Sequence, residues 1–124
     1  MSQPNIVNVT SIYGNSASVS LSTTSATQLA SNAASSGTVL KVNSIVVANT
    51  NGTSAANITI NLYSAAALGG TAFPIASTIS VPANASLIIT DKTTSFYLLE
   101  NQSIGATAGT ANYLTVTASW ETIA

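Results

Sequence analysis

The sequence predicts an all-β fold, an antiparallel β-sandwich of immunoglobulin-like or jelly-roll type with an extended N-terminal arm. Three observations carry this. Short apolar runs alternate with a period of two along most of the chain, Gly/Pro/Asn-rich turns interrupt them at about ten-residue intervals, and no long window has helical periodicity. At 124 residues the chain is the size of one domain and can bury a core of its own. It is expected to divide into an arm or edge strands over residues 1–37 and a sandwich domain over 38–124.

Residues 6–13 alternate weakly, with Val7, Val9 and Tyr13 on one side, and residues 17–22 alternate again, with Val19 and Leu21 in phase. Around them lie small polar residues, Ser22-Thr23-Thr24-Ser25 and the stretch 31–37, which bury little. This region therefore reads as an extended arm or one or two edge strands, with a hairpin of the same sandwich as the alternative.

The strand signals strengthen after residue 37. Over 38–49, Val39, Lys41, Asn43, Ile45 and Val47 share one face, and Leu40, Val42, Ser44, Val46 and Ala48 the other. Ile45-Val46-Val47-Ala48 is apolar on both faces, which marks a central strand covered on both sides. Asn51-Gly52 follows and is a hairpin signal, because both residues tolerate positive φ. Residues 56–63 alternate most cleanly: Ile58, Ile60 and Leu62 face one way, Asn57, Thr59, Asn61 and Tyr63 the other. A loop with a short helical turn is expected over 65–70, then a strand over 73–81 whose Pro74 places it at an edge. Pro82-Ala83-Asn84 is a turn, 86–90 a strand, Asp91-Lys92 a loop and 96–99 a short strand. Glu100-Asn101-Gln102 turns into a strand over 103–108, and Gly109-Thr110-Ala111-Asn112 reads as a hairpin turn. The last strand, 113–121, carries Leu114, Val116, Ala118 and Trp120 on one face, with Trp120 expected at the core or its rim. Seven strands follow residue 37.

Composition narrows the function. Hydrophobic residues make up an ordinary 46%, but charged residues only 4%: Lys41, Asp91, Lys92, Glu100 and Glu121. The Ile, Val and Leu content argues against disorder, which goes with high charge and few β-branched residues. With no His and no Cys, the usual zinc, copper and haem ligands are missing, as are His-based acid–base and Cys nucleophile chemistry. Two Lys and no Arg cannot neutralise a run of phosphates, so nucleic acid is not an expected partner. No stretch approaches the length of a membrane-spanning helix, so no membrane partner is expected. Residues 1–4 lack a basic start of the secretory type, so synthesis in a cytoplasm without general export is expected. The Asn-x-Ser/Thr sites at Asn8, Asn51, Asn57, Asn84 and Asn101 are no more than the composition supplies. A net charge of −1 gives copies of the chain little mutual repulsion, so much of the surface is expected to be covered by neighbours. The alternative is a monomer kept soluble by Ser, Thr and Asn.

No residue is assigned to catalysis, to a cofactor or to a metal. Asp91, Glu100 and Glu121 are the available carboxylates, and each reads as a solvated residue at a loop start or near the chain end. Calcium would need more carboxylates than these loops offer. Tyr63, Tyr97, Tyr113 and Trp120 would serve a sugar-binding platform only if they shared an exposed face; core or interface is the expected role. The glycines form no phosphate-binding pattern, and no Ser or Thr has a nucleophile elbow.

From about Leu40 onward one series of segments stands together: Val42-Asn43-Ser44-Ile45-Val46-Val47-Ala48-Asn49, Ile58-Thr59-Ile60 to Tyr63, Thr78-Ile79-Ser80-Val81-Pro82-Ala83, Tyr97-Leu98, Ser103-Ile104-Gly105-Ala106 and Leu114-Thr115-Val116. This pattern resembles small virion structural proteins of tailed bacteriophages, of the cyanophage and marine-phage type. The resemblance implies a β-sandwich unit repeated on a virion and does not fix its position, whether capsid surface, neck or tail; a capsid decoration (cement) protein is the first expectation. Its partners would be the major capsid protein or neck and tail proteins, together with copies of itself in a homo-oligomer. A neck, tail or fibre component is the second expectation, and a carbohydrate-binding adhesion module the third.

Overall fold

The computed structural model describes residues 7–124. Ile6 and the 1–4 start therefore lie outside the described residues. The described chain forms nine strands: β1 (Ile12–Ser20), β2 (Thr27–Asn32), β3 (Val39–Asn49), β4 (Ala56–Ala65), β5 (Gly69–Val81), β6 (Ser86–Thr90), β7 (Phe96–Leu98), β8 (Gln102–Ala108) and β9 (Leu114–Ile123). A single 3-10 turn at Lys92–Thr94 separates β6 from β7. The strands build two antiparallel sheets packed face to face. The front sheet runs β1-β9-β3-β6, with β7 beside β6 along the same edge of β3; the back sheet runs β2-β8-β4-β5. The protein is an all-β sandwich.

The N-terminal strands belong to this sandwich. Residues 7–11 are turn and bend, and β1 is one continuous strand, where two weak alternations stand in the sequence. β1 forms an edge of the front sheet on β9, and β2 an edge of the back sheet on β8. They lie in different sheets and do not pair with each other. Leu21, just beyond β1, is fully buried, as are Leu29 and Ala30 of β2 to within a few per cent.

Among neighbouring strands only β4 and β5 form a hairpin; the other pairings join strands distant in sequence. This overturns two turn expectations. Asn51-Gly52 and 109–112 lie where the chain crosses between sheets, and neither Asn51 nor Gly52 has positive φ. Asn51 works through its side chain instead, accepting from the N–H groups of Thr53 and Ser54. Positive φ falls at Asn84, Asn101 and Asn112, where Asn tolerates it. The 65–70 loop contains no helical turn: it is a tight reversal in which the Gly69 N–H donates to the Ala66 carbonyl, with Ala67 and Leu68 left-handed.

The core lies between the sheets and is built from Leu21, Val42, Ile45, Val47, Ile58, Ile60, Val81, Leu98, Ile104, Leu114 and Val116. β3 does not keep one alternation. The register against β9 shifts between Val42 and Ser44, so Leu40 and Val42 point inward before the bulge and Ile45 and Val47 after it. The face expected from strict alternation, with Lys41, Ile45 and Val47 together, is therefore split. β9 alternates over Leu114–Ala118, and Trp120 packs partly buried against the core opposite Val42.

Two buried asparagines fasten crossovers. At the end of β3, Asn49 donates to the Ser54 and Val81 carbonyls and accepts from the Asn51 N–H. At the end of β2, Asn32 donates to the Thr38 and Leu98 carbonyls and accepts from the Ser36 and Thr38 hydroxyls. A buried amide with partners on both its N and O satisfies backbone that has just left a sheet.

Candidate interaction surface

One flank of the sandwich is left open. β5 is 13 residues long, but the front-sheet strands facing that side, β6 and β7, have 5 and 3. The shortfall leaves a cleft of about 380 Å³ between the sheets, lined by Leu62 and Ile75 of the back sheet, Ile89, Phe96 and Tyr97 of the front, and Thr94 of the 3-10 turn. Large apolar side chains beside it reach water: Phe73, paired with the lining residue Leu62, is 54% exposed, and Tyr97 is 42% exposed. Ile88, at 61%, lies between the core-facing Leu87 and Ile89 and so points to the outer face of the front sheet, beside Val46. Ile79 pairs with the core residue Ile58, yet it is substantially exposed because nothing of the front sheet covers it. Exposed apolar residues scattered singly are ordinary, but a contiguous group around a cleft marks a surface that meets something. Pro74 points to β5 as an edge; the brevity of β6 and β7, which opens the cleft, has no comparable sequence signal.

The outer face of the back sheet is covered by the chain itself over Ser103 and Gly105 of β8. The β4–β5 reversal folds over β8, and the Leu68 N–H donates to Ser103 Oγ, which donates to the Ala65 carbonyl. The Ala66 and Ala67 N–H groups donate to Asn101 Oδ1 and Ser31 Oγ. Gly105 lies beneath this cover; a Cβ there would stand 2.8 Å from Leu68 Cδ2 and 3.0 Å from Tyr63 Cε2. Tyr63, expected on the face away from the core, is on that face and is buried by its own chain.

The carboxylates do not converge on one arrangement. Asp91 is exposed and caps the 3-10 turn, accepting from the Thr93 N–H and hydroxyl; these bonds, the hydroxyl's first, hold its pKa below the usual 3.8. Glu121 is half-buried in β9, directly opposite Lys41, and accepts from Asn43 Nδ2 at 3.5 Å. Glu100 departs from the solvated-turn expectation. It is 2% exposed, and its Oε2 accepts from the Gly37 N–H while Oε1 is buried without a hydrogen-bond partner. The β7–β8 turn closes over it, an event set by tertiary packing and invisible to local composition. Among the described residues no group of three or more Asp, Glu, His or Cys side chains could hold a metal.

The aromatic residues do not share a face. Tyr63 lies under the back-sheet cover, Tyr113 and Trp120 pack against the core, and Tyr97 lines the open flank.

No family model matches the chain, and no curated protein matches it. Among solved structures it is similar to a chain from Bacillus endospore appendages, described as a novel family of disulfide-linked pili. The two share 19% identity at a TM-score of 0.47, over 90% of this chain and 86% of that one. This chain contains no cysteine. The fold and the surfaces above stand on this protein's own strands.

Proposed function

We propose that the chain is a structural subunit that works by contact, most specifically a capsid decoration (cement) protein of a bacteriophage. The observation that supports this best is the open apolar flank between β5 and the β6–β7 edge, on a domain with almost no charge. A surface of this kind gains free energy by leaving water and has little ionic character for a charged ligand to read. Stable contacts of this class bury roughly 1,200–2,000 Å². In this reading the flank seats on the protein shell of the particle, and no reaction is carried out.

The strand order supports the jelly-roll alternative over the immunoglobulin-like one. Each sheet holds four strands in the orders β1-β9-β3-β6 and β2-β8-β4-β5, with β7 as an addition, as in two interleaved Greek keys. Jelly rolls serve capsids, lectins and cupins, so the fold leaves the choice to the surface. The dispersal of Tyr63, Tyr97, Tyr113 and Trp120 weighs against the carbohydrate-binding reading, which needs a common stacking platform.

The test is attachment. Purified chain mixed with undecorated shells of its phage is expected to co-sediment saturably. Binding should change little from about 50 mM to about 500 mM salt, because few charges take part. Chain that stays in the supernatant, or that is released steeply by salt, contradicts the proposal. Copies confined to rings along the tail axis would move the assignment to a neck or tail component.

A further inference from the structure

We infer that β1 is the edge through which the chain binds a second copy of itself: two β1 strands pair antiparallel about a two-fold axis at Ser16, joining two front sheets into one. This deepens the contact-based reading above and rests on it.

An edge strand presents unpaired N–H and C=O groups, and soluble proteins usually blunt it with charge, Pro, bulges or brevity. Three edge regions here are blunted. β5 contains Pro74, its register against β4 shifts at three places, and Thr78, a β-branched residue, is held at φ 52. β6 and β7 are short and interrupted by the 3-10 turn. β2 has a register shift between Gln28 and Ala30.

β1 has none of these devices. It pairs with β9 without a break over nine residues, Ile12–Ser20, in the sequence Ile-Tyr-Gly-Asn-Ser-Ala-Ser-Val-Ser. It contains no charge and no Pro, and among the described residues no strand lies on its other side. A regular, uncharged, open edge is a template for strand addition.

The occupant follows from the same strand. A partner of opposite charge has nothing to recognise on β1. A second β1 meets no like charge across the pair, and a net charge of −1 per chain adds little repulsion between copies. A two-fold axis perpendicular to the sheet maps each face onto itself, so only residues of the same face come opposite each other. Centring at Ser16 gives the greatest overlap. Tyr13 then lies opposite Val19 of the second copy and Asn15 opposite its Ala17. Tyr13 is 64% exposed in the single chain, and an aromatic against a β-branched residue is a favourable cross-strand pair.

Cysteine cross-linking tests the register, because the chain has no cysteine of its own. Ser16 faces its own equivalent across the proposed axis, within disulfide reach of an antiparallel pair. Under mild oxidation, Ser16→Cys is expected to form dimers at least about tenfold faster than Thr24→Cys, an exposed site away from β1. Ser16→Lys places two like charges opposite each other and is expected to weaken the dimer about fivefold or more by sedimentation velocity, with an unchanged circular dichroism spectrum. Equal cross-linking of Ser16→Cys and Thr24→Cys overturns the inference. So does association that Ser16→Lys leaves untouched, while shell attachment by the same variants keeps the contact-based reading standing.

Discussion

The outer face of the back sheet and the β5–β6–β7 flank are both places where one layer of sandwich ends, and the chain treats them differently. Over β8 it folds its own β4–β5 reversal back, packs buried Tyr63 and half-buried Leu68 against Gly105, and partners the Ser103 hydroxyl at both lone pair and proton. At the flank it stops short, leaving Phe73, Ile75 and Ile79 in water and an apolar cleft between the sheets. The first region is finished within the chain, so its side chains contribute to stability. The second is left unfinished within the chain, and in the proposed function its side chains contribute to association.

The contrast is sharpest in substitutions that separate folding from binding. The largest effect on stability is expected for Gly105→Val, which drives a branched side chain into Leu68 and Tyr63; a loss of about 3 kcal/mol in chemical denaturation is expected. Adding Leu68→Ala should restore part of it, since one of the two obstructing groups is then gone. Ser103→Ala leaves the Leu68 N–H and the Ala65 carbonyl without their side-chain partner and should cost about 2 kcal/mol. Phe73→Ser and Tyr97→Ser should change stability by no more than about 0.5 kcal/mol, as exposed sites do, yet abolish the proposed shell attachment. Large destabilisation by those two, with attachment intact, would erase the distinction between the regions.

The smallest effect is electrostatic and lies next to the flank. The bonds from Thr93 hold the Asp91 pKa below 3.8 in the folded chain. The stability they contribute is therefore present above that ordinary value and lost as pH falls through the lowered one. Asp91→Asn should remove this acid-side dependence, read as a flattened pH profile of the midpoint, and leave neutral-pH attachment unchanged.

Much of this architecture was legible locally. Seven strands after residue 37 occur close to where alternation and turn residues put them, because each half-buried strand writes its burial into its sequence. What escaped depends on partners distant in the chain. The β3 bulge at 42–44 breaks an alternation that looks unbroken in sequence, since Val39 through Ala48 is apolar enough to fit either phase. Asn51-Gly52 has hairpin chemistry but spans the sheets, because the choice of partner strand is made by the whole topology. Glu100 looks like a surface turn residue and is buried by the turn's packing against 36–38. For the candidate surface, the edge position of β5 was readable from Pro74. The openness of the flank was not, because it arises from a mismatch in length between strands of opposite sheets.

Sedimentation equilibrium of the purified chain, over a range of concentrations and at low and high salt, addresses the matter most directly. A domain whose unfinished surfaces are apolar and uncharged should show a mass that rises with concentration above the 12.4 kDa of one chain, by the same amount at both salt levels. A constant mass of one chain throughout, or assembly that dissolves when salt is added, would contradict it.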